Sequence, residues 1–159
     1  MEHNKENQLK IYTRVRQHLL SQMKQSTFTG SGACAYRGHD GCKCAIGILI
    51  SDENYNHVLE NVSSNGLSVK NAIKNSGYDL TGVHYAFLSE LQQIHDLNEP
   101  ESWKVRLDEF AKTWELKVEI TDIAELFHKL WGEAHDSPDY NKQNWLKMQL
   151  LLRQNGLKV

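Results

Sequence analysis

The chain has 159 residues, of which 40% are hydrophobic, and its formal net charge is −2. This length is typical of one domain and suffices to bury a core. The longest apolar run, residues 45–50, is far shorter than the about 20 residues that span a membrane, and residues 1–5 precede no apolar stretch of the signal-peptide kind. We therefore expect a cytoplasmic protein without a membrane partner, and the slight acidity makes nucleic acid an unexpected partner.

Apolar residues recur at helical spacing along most of the chain. The first predicted helix covers residues 4–24, where Leu9, Tyr12 and Val15 begin an apolar stripe. A short turn of helix is expected over residues 52–59. The spacing predicts five further helices, over residues 69–75, 83–95, 99–114, 122–134 and 141–154.

One β element interrupts this helical pattern. Residues 33–36 and 42–46 flank a turn that Asp40-Gly41 can close, which predicts a short β-hairpin. In that register Gly38 lies opposite Cys42, and Tyr36 lies opposite Cys44.

These elements predict a mainly α (α+β) fold, with about six helices around one small β-hairpin. We expect residues 1–120 to form a single α-rich core domain that includes the hairpin. Residues 121–159 are expected to form a C-terminal helical hairpin docked on that core. The alternative is that the two C-terminal helices and the four tryptophans form a homodimer interface.

The three cysteines are close in sequence and have His39 between them. Cys34, His39, Cys42 and Cys44 supply four soft ligands, which is the number that a structural zinc site requires. The spacing lacks the paired Cys-x2-Cys of common zinc sites, and buried free cysteines are the alternative. We therefore expect no cofactor, with zinc as the one candidate.

Thiol chemistry is a second interpretation of the same segment. Cys44 lies where an extended segment enters an apolar one, and a thiolate at a helix N-terminus is a stronger nucleophile. His84 or His95 would be the base, and Tyr36 or Arg37 would orient the substrate. The spacing does not select between the two histidines.

The His-Asp dipeptides suggest a third interpretation, a metal-dependent phosphohydrolase. The candidate ligands are His57 or His84, then His95-Asp96, then Asp122 or Asp136. Such a set suits a divalent metal and a phosphoester.

Two loops are candidate contact surfaces for a partner protein. Arg37, His39 and Asp40 lie in the predicted hairpin turn, and Asp136 and Tyr140 lie in the connection between the last two helices. Phosphate loops, nucleophile elbows and zinc-protease motifs are absent from the sequence. The motifs do not decide whether the protein is an enzyme, although they favour a binding protein.

A resemblance extends over residues 34–111, about half the chain. The pattern Cys-x-Tyr-Arg-Gly-x-Asp-Gly, then Lys-Cys-Ala-Ile-Gly and Asp-Glu-x-Tyr, resembles a segment of small, uncharacterised phage and bacterial accessory proteins. Residues 88–96, together with Trp103 and Phe110-Ala111, resemble a second segment of the same family. Cys42 stands at a variable position of the pattern, which weakens a site built from all three cysteines. The matched positions are Cys34, Tyr36, Gly38, Gly41, Cys44, Gly47, Asp52 and Tyr55.

The resemblance brings no established activity with it. It implies a phage-type protein of the host cytoplasm that binds a host or phage protein and inhibits or modulates it. The thiol-dependent enzyme and the phosphohydrolase-like protein remain the alternatives.

Overall fold

The computed structural model describes residues 4–117, which belong to one compact unit. This part of the chain is mainly helical, with short 3-10 turns between its helices. No helix there is long and apolar enough to cross a membrane. The four α-helices are α1 (Lys5–Gln22), α2 (Leu67–Asn75), α3 (Tyr85–Leu97) and α4 (Trp103–Thr113).

Helix α1 forms where the apolar stripe predicts it. Asn4 caps its first turn, because the side chain accepts a hydrogen bond from the backbone N–H of Asn7 at 3.1 Å. The helix ends at Met23, whose φ of 45° is left-handed. Its inner face, which includes Tyr12 and Val15, is completely buried.

The core lies where α1 packs against α3 and α4. Phe110 of α4 stacks on Tyr12 at a centroid distance of 5.9 Å and meets Phe87 edge-on at 5.0 Å. Burying such a side chain contributes about 1.5–3 kcal/mol to folding. Trp103 is also fully buried, and its ring stacks on His95 in the site described below.

The predicted β-hairpin is not confirmed, since no strand forms within residues 4–117. Only isolated bridges join Thr27 to Cys34 and Arg37 to Lys43. The pairing still has the predicted register: the N–H of Gly38 donates to Cys42 O at 2.9 Å, and that of Cys44 to Tyr36 O at 3.3 Å.

Gly47 explains why this pairing ends so soon. A Cβ atom there would lie 1.9 Å from the carbonyl oxygen of Tyr36, so the two backbones approach more closely than any side chain allows. The chain then turns into a 3-10 helix over Gly47–Leu49. That turn buries the apolar run around Ile46 and Ile50 in the core.

The prediction of about six helices is confirmed only in part. Four of the predicted segments correspond to α1–α4, and residues 52–59 instead form two 3-10 turns, Asp52–Asn54 and His57–Asn61. The helices predicted over 122–134 and 141–154 lie outside the described residues. The boundary after residue 120, the docked C-terminal hairpin and the homodimer interface therefore stay predictions.

Candidate functional site

Three chemically different side chains converge at the end of α3. The thiol of Cys34, a ring nitrogen of His95 and a carboxylate oxygen of Asp96 lie within 4.8 Å of one another. Cys34 is placed there by its bridge to Thr27, and His95 and Asp96 lie in the last turn of α3. Among residues 4–117 this is the one group of three or more such side chains close enough to share a metal ion.

Hydrogen bonds fix the proton of the His95 ring. The backbone N–H of Ser26 donates to Nε2 at 2.9 Å, so Nε2 is an acceptor and carries no proton. The proton therefore lies on Nδ1, which donates to Oδ1 of Asp96 at 2.8 Å. The ring is fully buried and stacks on Trp103 at a centroid distance of 5.4 Å. Neither nitrogen is free to accept a proton from a thiol.

Gln92 connects this cluster to Cys44. Its Nε2 donates to Oδ1 of Asp96 at 2.7 Å, while its Oε1 accepts from the backbone N–H of Ile46 and from the Cys44 thiol, both at 3.1 Å. Oδ1 of Asp96 thus receives two donors, His95 and Gln92. Cys34 also forms a side-chain hydrogen bond with the Asp96 carboxylate, and the Asp96 side chain is 29% exposed.

Both cysteines of this network are held as neutral thiols. Burial raises the pKa of the Cys44 thiol to about 12, although the N–H of Gly47 donates to its sulfur at 3.2 Å. Burial, together with the carboxylate of Asp96, raises the pKa of Cys34 to about 11. At neutral pH neither sulfur is a thiolate, which is the nucleophilic form.

The predicted base His84 lies at the other end of α3 from the cluster. It is the N-cap residue, and its Nδ1 accepts from the N–H of Ala86 at 3.2 Å. The hydrogen bonds of Cys44 run to Gln92 and Gly47 instead. The structure does not bring Cys44 and His84 together as a nucleophile and its base.

The other predicted metal ligands are also distributed differently. Nδ1 of His39 lies 2.9 Å from the carbonyl oxygen of Thr27, and Cys42 is buried outside the cluster. Only Cys34 of the predicted zinc set belongs to the cluster. Of the phosphohydrolase set, His95-Asp96 belongs to it, His57 and His84 do not, and Asp122 and Asp136 lie outside the described residues.

Tyr36 and Arg37 are held by a carboxylate that the sequence analysis did not single out. Glu60 accepts the backbone N–H of Tyr36 at 2.8 Å, that of Arg37 at 2.9 Å, and the hydroxyl of Tyr55 at 2.7 Å. The hydroxyl of Tyr36 donates to Val62 O at 2.6 Å. Burial and the neighbouring Cys44 and Glu60 raise the pKa of Tyr36, so it stays protonated.

The predicted contact loop is only partly available to a partner. The Arg37 guanidinium pairs with Asp52, donates to Ile50 O at 2.8 Å and lies 4.6 Å from the centre of the Tyr55 ring. Arg37 therefore belongs to the scaffold. His39 and Asp40 are exposed, and Asp40 forms an ion pair of 2.8 Å with Lys24. The second predicted loop, with Asp136 and Tyr140, lies outside the described residues.

A groove runs along α2 and the start of α3. Its volume is about 240 Å³. Leu67 and Tyr85 line it and are 76% and 64% exposed, so the groove presents two large apolar side chains to solvent. Lys70 and Lys74 line it as well, and none of its lining residues in the described part of the chain is acidic. The remaining lining residues are Asn71, Leu80, Thr81, Val83, His84 and Leu88.

Comparison with known proteins adds no identity to this geometry. No family model, no curated protein and no solved structure matches the chain. The cluster at the end of α3 and the α2–α3 groove are the two features of the described residues that bear on function.

Proposed function

We propose that this protein acts by binding a partner protein in the α2–α3 groove, as a phage-type accessory protein that inhibits or modulates a host factor. The observation that carries the proposal is the pair Leu67 and Tyr85, whose exposed apolar side chains line a concave surface. Exposed aromatic and aliphatic side chains at a groove are typical anchors of protein interfaces.

The charge of the groove indicates the kind of partner. Lys70 and Lys74 line it and none of its described lining residues is acidic, although Asp79 lies close enough to Lys74 for their charges to interact and residues 51–120 as a whole are acidic. Complementarity favours an acidic segment that carries an aliphatic or aromatic anchor. The two lysines would increase the rate of association, and the apolar anchors would supply most of the affinity.

The cysteine network supports a binding role over a thiol-dependent enzyme. Cys44 is fully buried and protonated, and the nitrogens of His95 are occupied by Ser26 and Asp96. These groups tie the loop after α1 to the last turn of α3 and leave neither a thiolate nor an unoccupied imidazole nitrogen in the network. An enzyme with Cys44 as its nucleophile remains the alternative, and it would require the network to open.

The experiment compares capture of partners from a bacterial lysate by wild-type protein, Leu67→Ser and Leu97→Ser. The control is matched, because Leu97 and Leu67 are each 76% exposed and each is the terminal residue of a helix. We expect Leu67→Ser to lose most of a partner that wild type and Leu97→Ser retain. Equal capture by the two variants, with melting curves confirming that both are folded, would exclude the groove as the binding surface.

A charge test completes the comparison. The double variant Lys70→Glu, Lys74→Glu should weaken binding of the captured partner at least about tenfold, and the loss should shrink at high salt. Lys104 and Lys112 on α4 lie outside the lining of the groove, and the same change there is the control. An equal effect of both double variants would mean that net charge alone, and not the groove, attracts the partner.

A further inference from the structure

We propose that Cys34, His95 and Asp96 bind a divalent transition metal ion such as Zn²⁺, and that binding moves the Ser26 peptide. The three side chains offer sulfur, nitrogen and oxygen within 4.8 Å of one another, which is the ligand chemistry that zinc prefers. A tetrahedral ion with bonds of about 2.0–2.3 Å requires ligand atoms about 3.6 Å apart, so the cluster needs only a small closure.

The surroundings of the cluster resemble the supporting shell of a metal site. Gln92 holds Oδ1 of Asp96, which leaves the second carboxylate oxygen for an ion, and Trp103 supports the His95 ring from its face. Cys34 and Asp96 are both partly exposed, so an ion can enter from solvent. A water molecule or a ligand would complete its coordination, as in zinc sites with three protein ligands.

An ion can bind to His95 only if the proton on Nδ1 is displaced. Binding releases the Cys34 thiol proton to solvent, because the sulfur coordinates a metal ion as a thiolate. An ion on Nδ1 also displaces the proton there, and a neutral ring then carries its proton on Nε2. That proton faces the N–H of Ser26, which now donates to Nε2 at 2.9 Å. Two donors cannot share a hydrogen bond, so the Ser26 peptide has to turn away.

The consequence extends beyond Ser26. The neighbouring Gln25 side chain donates to the carbonyl oxygens of His95 at 2.9 Å and Asn98 at 3.1 Å, so with the Ser26 hydrogen bond the same segment is tied to the end of α3 three times. Metal binding would break the Ser26 hydrogen bond and shift the segment that leads to Cys34. This separates the proposal from a purely structural cluster, in which the Ser26 hydrogen bond persists in all conditions.

The test is a Co²⁺ titration of untagged, metal-free protein followed by absorption, with a parallel titration of diamagnetic Zn²⁺ followed by amide NMR. We expect a saturable thiolate-to-cobalt absorption band that Zn²⁺ abolishes by competition, and a shift of the Ser26 amide resonance in the Zn²⁺ titration. Cys34→Ser should lose the band, and the matched control Cys42→Ser should keep it because Cys42 is outside the cluster.

A second variant tests the carboxylate without removing the hydrogen bonds. Asp96→Asn keeps an oxygen that accepts from His95 and Gln92, so it should fold normally but bind cobalt at least about tenfold more weakly. Absence of the band, or its persistence in Cys34→Ser, would overturn the metal site. A band with an unmoved Ser26 amide would overturn the coupling. Neither result bears on the groove, so failure here is distinct from failure of the proposed function.

Discussion

The backbone N–H of Ser26 and Nε2 of His95 form a buried hydrogen bond of 2.9 Å between residues 69 positions apart. The donor is a backbone amide, so the ring has to accept, and its other nitrogen has to donate to Asp96. A single contact thus sets the tautomer of a fully buried histidine. It also anchors the segment after α1 on the last turn of α3.

Replacing His95 by leucine should therefore destabilise the fold. The variant keeps an apolar side chain against Trp103 but leaves the buried Ser26 N–H without an acceptor, which costs about 1–3 kcal/mol. His95→Gln offers an oxygen to Ser26 and an N–H to Asp96, so it should recover part of the loss. Urea unfolding measures both free energies. Equal losses in the two variants would mean that ring packing, and not hydrogen bonding, explains the effect.

The Glu60 carboxylate should matter more to stability than its position in a 3-10 turn suggests. It accepts from two backbone amides and from the Tyr55 hydroxyl, and hydrogen bonds to a charged acceptor are the stronger kind. We expect Glu60→Gln to lower the unfolding free energy by about 1–3 kcal/mol. The exposed Glu53 in the same region provides the control Glu53→Gln, which should change it by less than about 0.5 kcal/mol. Similar losses in Glu60→Gln and Glu53→Gln would mean that removing a negative charge from this region, and not the loss of hydrogen bonds, lowers the stability.

The helices could be predicted from the sequence because their signals are local. The stripe through Tyr12 and Val15 predicts α1, and Asn4 is a favourable cap directly before it. The register that places Tyr36 opposite Cys44 could also be predicted, since a turn fixes its two flanks. The absence of regular strands could not be predicted, because the close approach of Gly47 to the backbone of Tyr36 depends on the tertiary fold.

The candidate site was only partly visible in the sequence. Cys34 is singled out by its neighbours, but its partners His95 and Asp96 come from a helix about sixty positions later, and local pattern carries no information on that contact. One signal was available for the network: Gln92 and Asp96 are four residues apart on α3, a spacing that places them on one helix face. Nothing local distinguishes Glu60, whose partners depend on the tertiary fold.

Gln8 is a buried polar residue whose replacement should stabilise the protein. Its side chain is completely buried in α1, and neither of its polar atoms has a hydrogen-bond partner among the described residues. Gln8→Met removes the unsatisfied amide, keeps the volume and the helix propensity, and should raise the unfolding free energy by about 1–3 kcal/mol. The exposed Gln17 gives the control Gln17→Met, for which little change is expected. A loss of stability in Gln8→Met would indicate that a buried water satisfies the amide.

The thiols should be slow to alkylate in the folded protein. With a pKa of about 11 for Cys34 and about 12 for Cys44, the thiolate fraction at neutral pH is far below that of an ordinary cysteine. Iodoacetamide labelling followed by peptide mass spectrometry gives the rate for each cysteine, with urea-unfolded protein as the reference. Both should react at least about tenfold faster when unfolded. Fast labelling of Cys44 in the folded state would revive the thiol-dependent enzyme.

His18 should make the protein less stable in mild acid. Its pKa lies below the ordinary 6.5, mainly because of burial, with Arg14 and Lys43 also opposing its charge, although its ring nitrogen lies 2.8 Å from the carbonyl oxygen of Lys43. The unfolded chain thus takes up the proton first as the pH falls. The stability that neutral His18 contributes is complete above pH 6.5 and is lost as the pH falls from there through the folded pKa.

The measurement is urea unfolding of wild type and His18→Gln at about pH 7.5 and about pH 5.5. Glutamine does not titrate but can still donate to the carbonyl oxygen of Lys43, so the variant keeps the geometry without the proton uptake. Wild type should lose more stability on acidification than His18→Gln, because the other titrating groups are common to both proteins and cancel in the difference. Parallel losses would show that His18 takes up its proton equally in the folded and unfolded states.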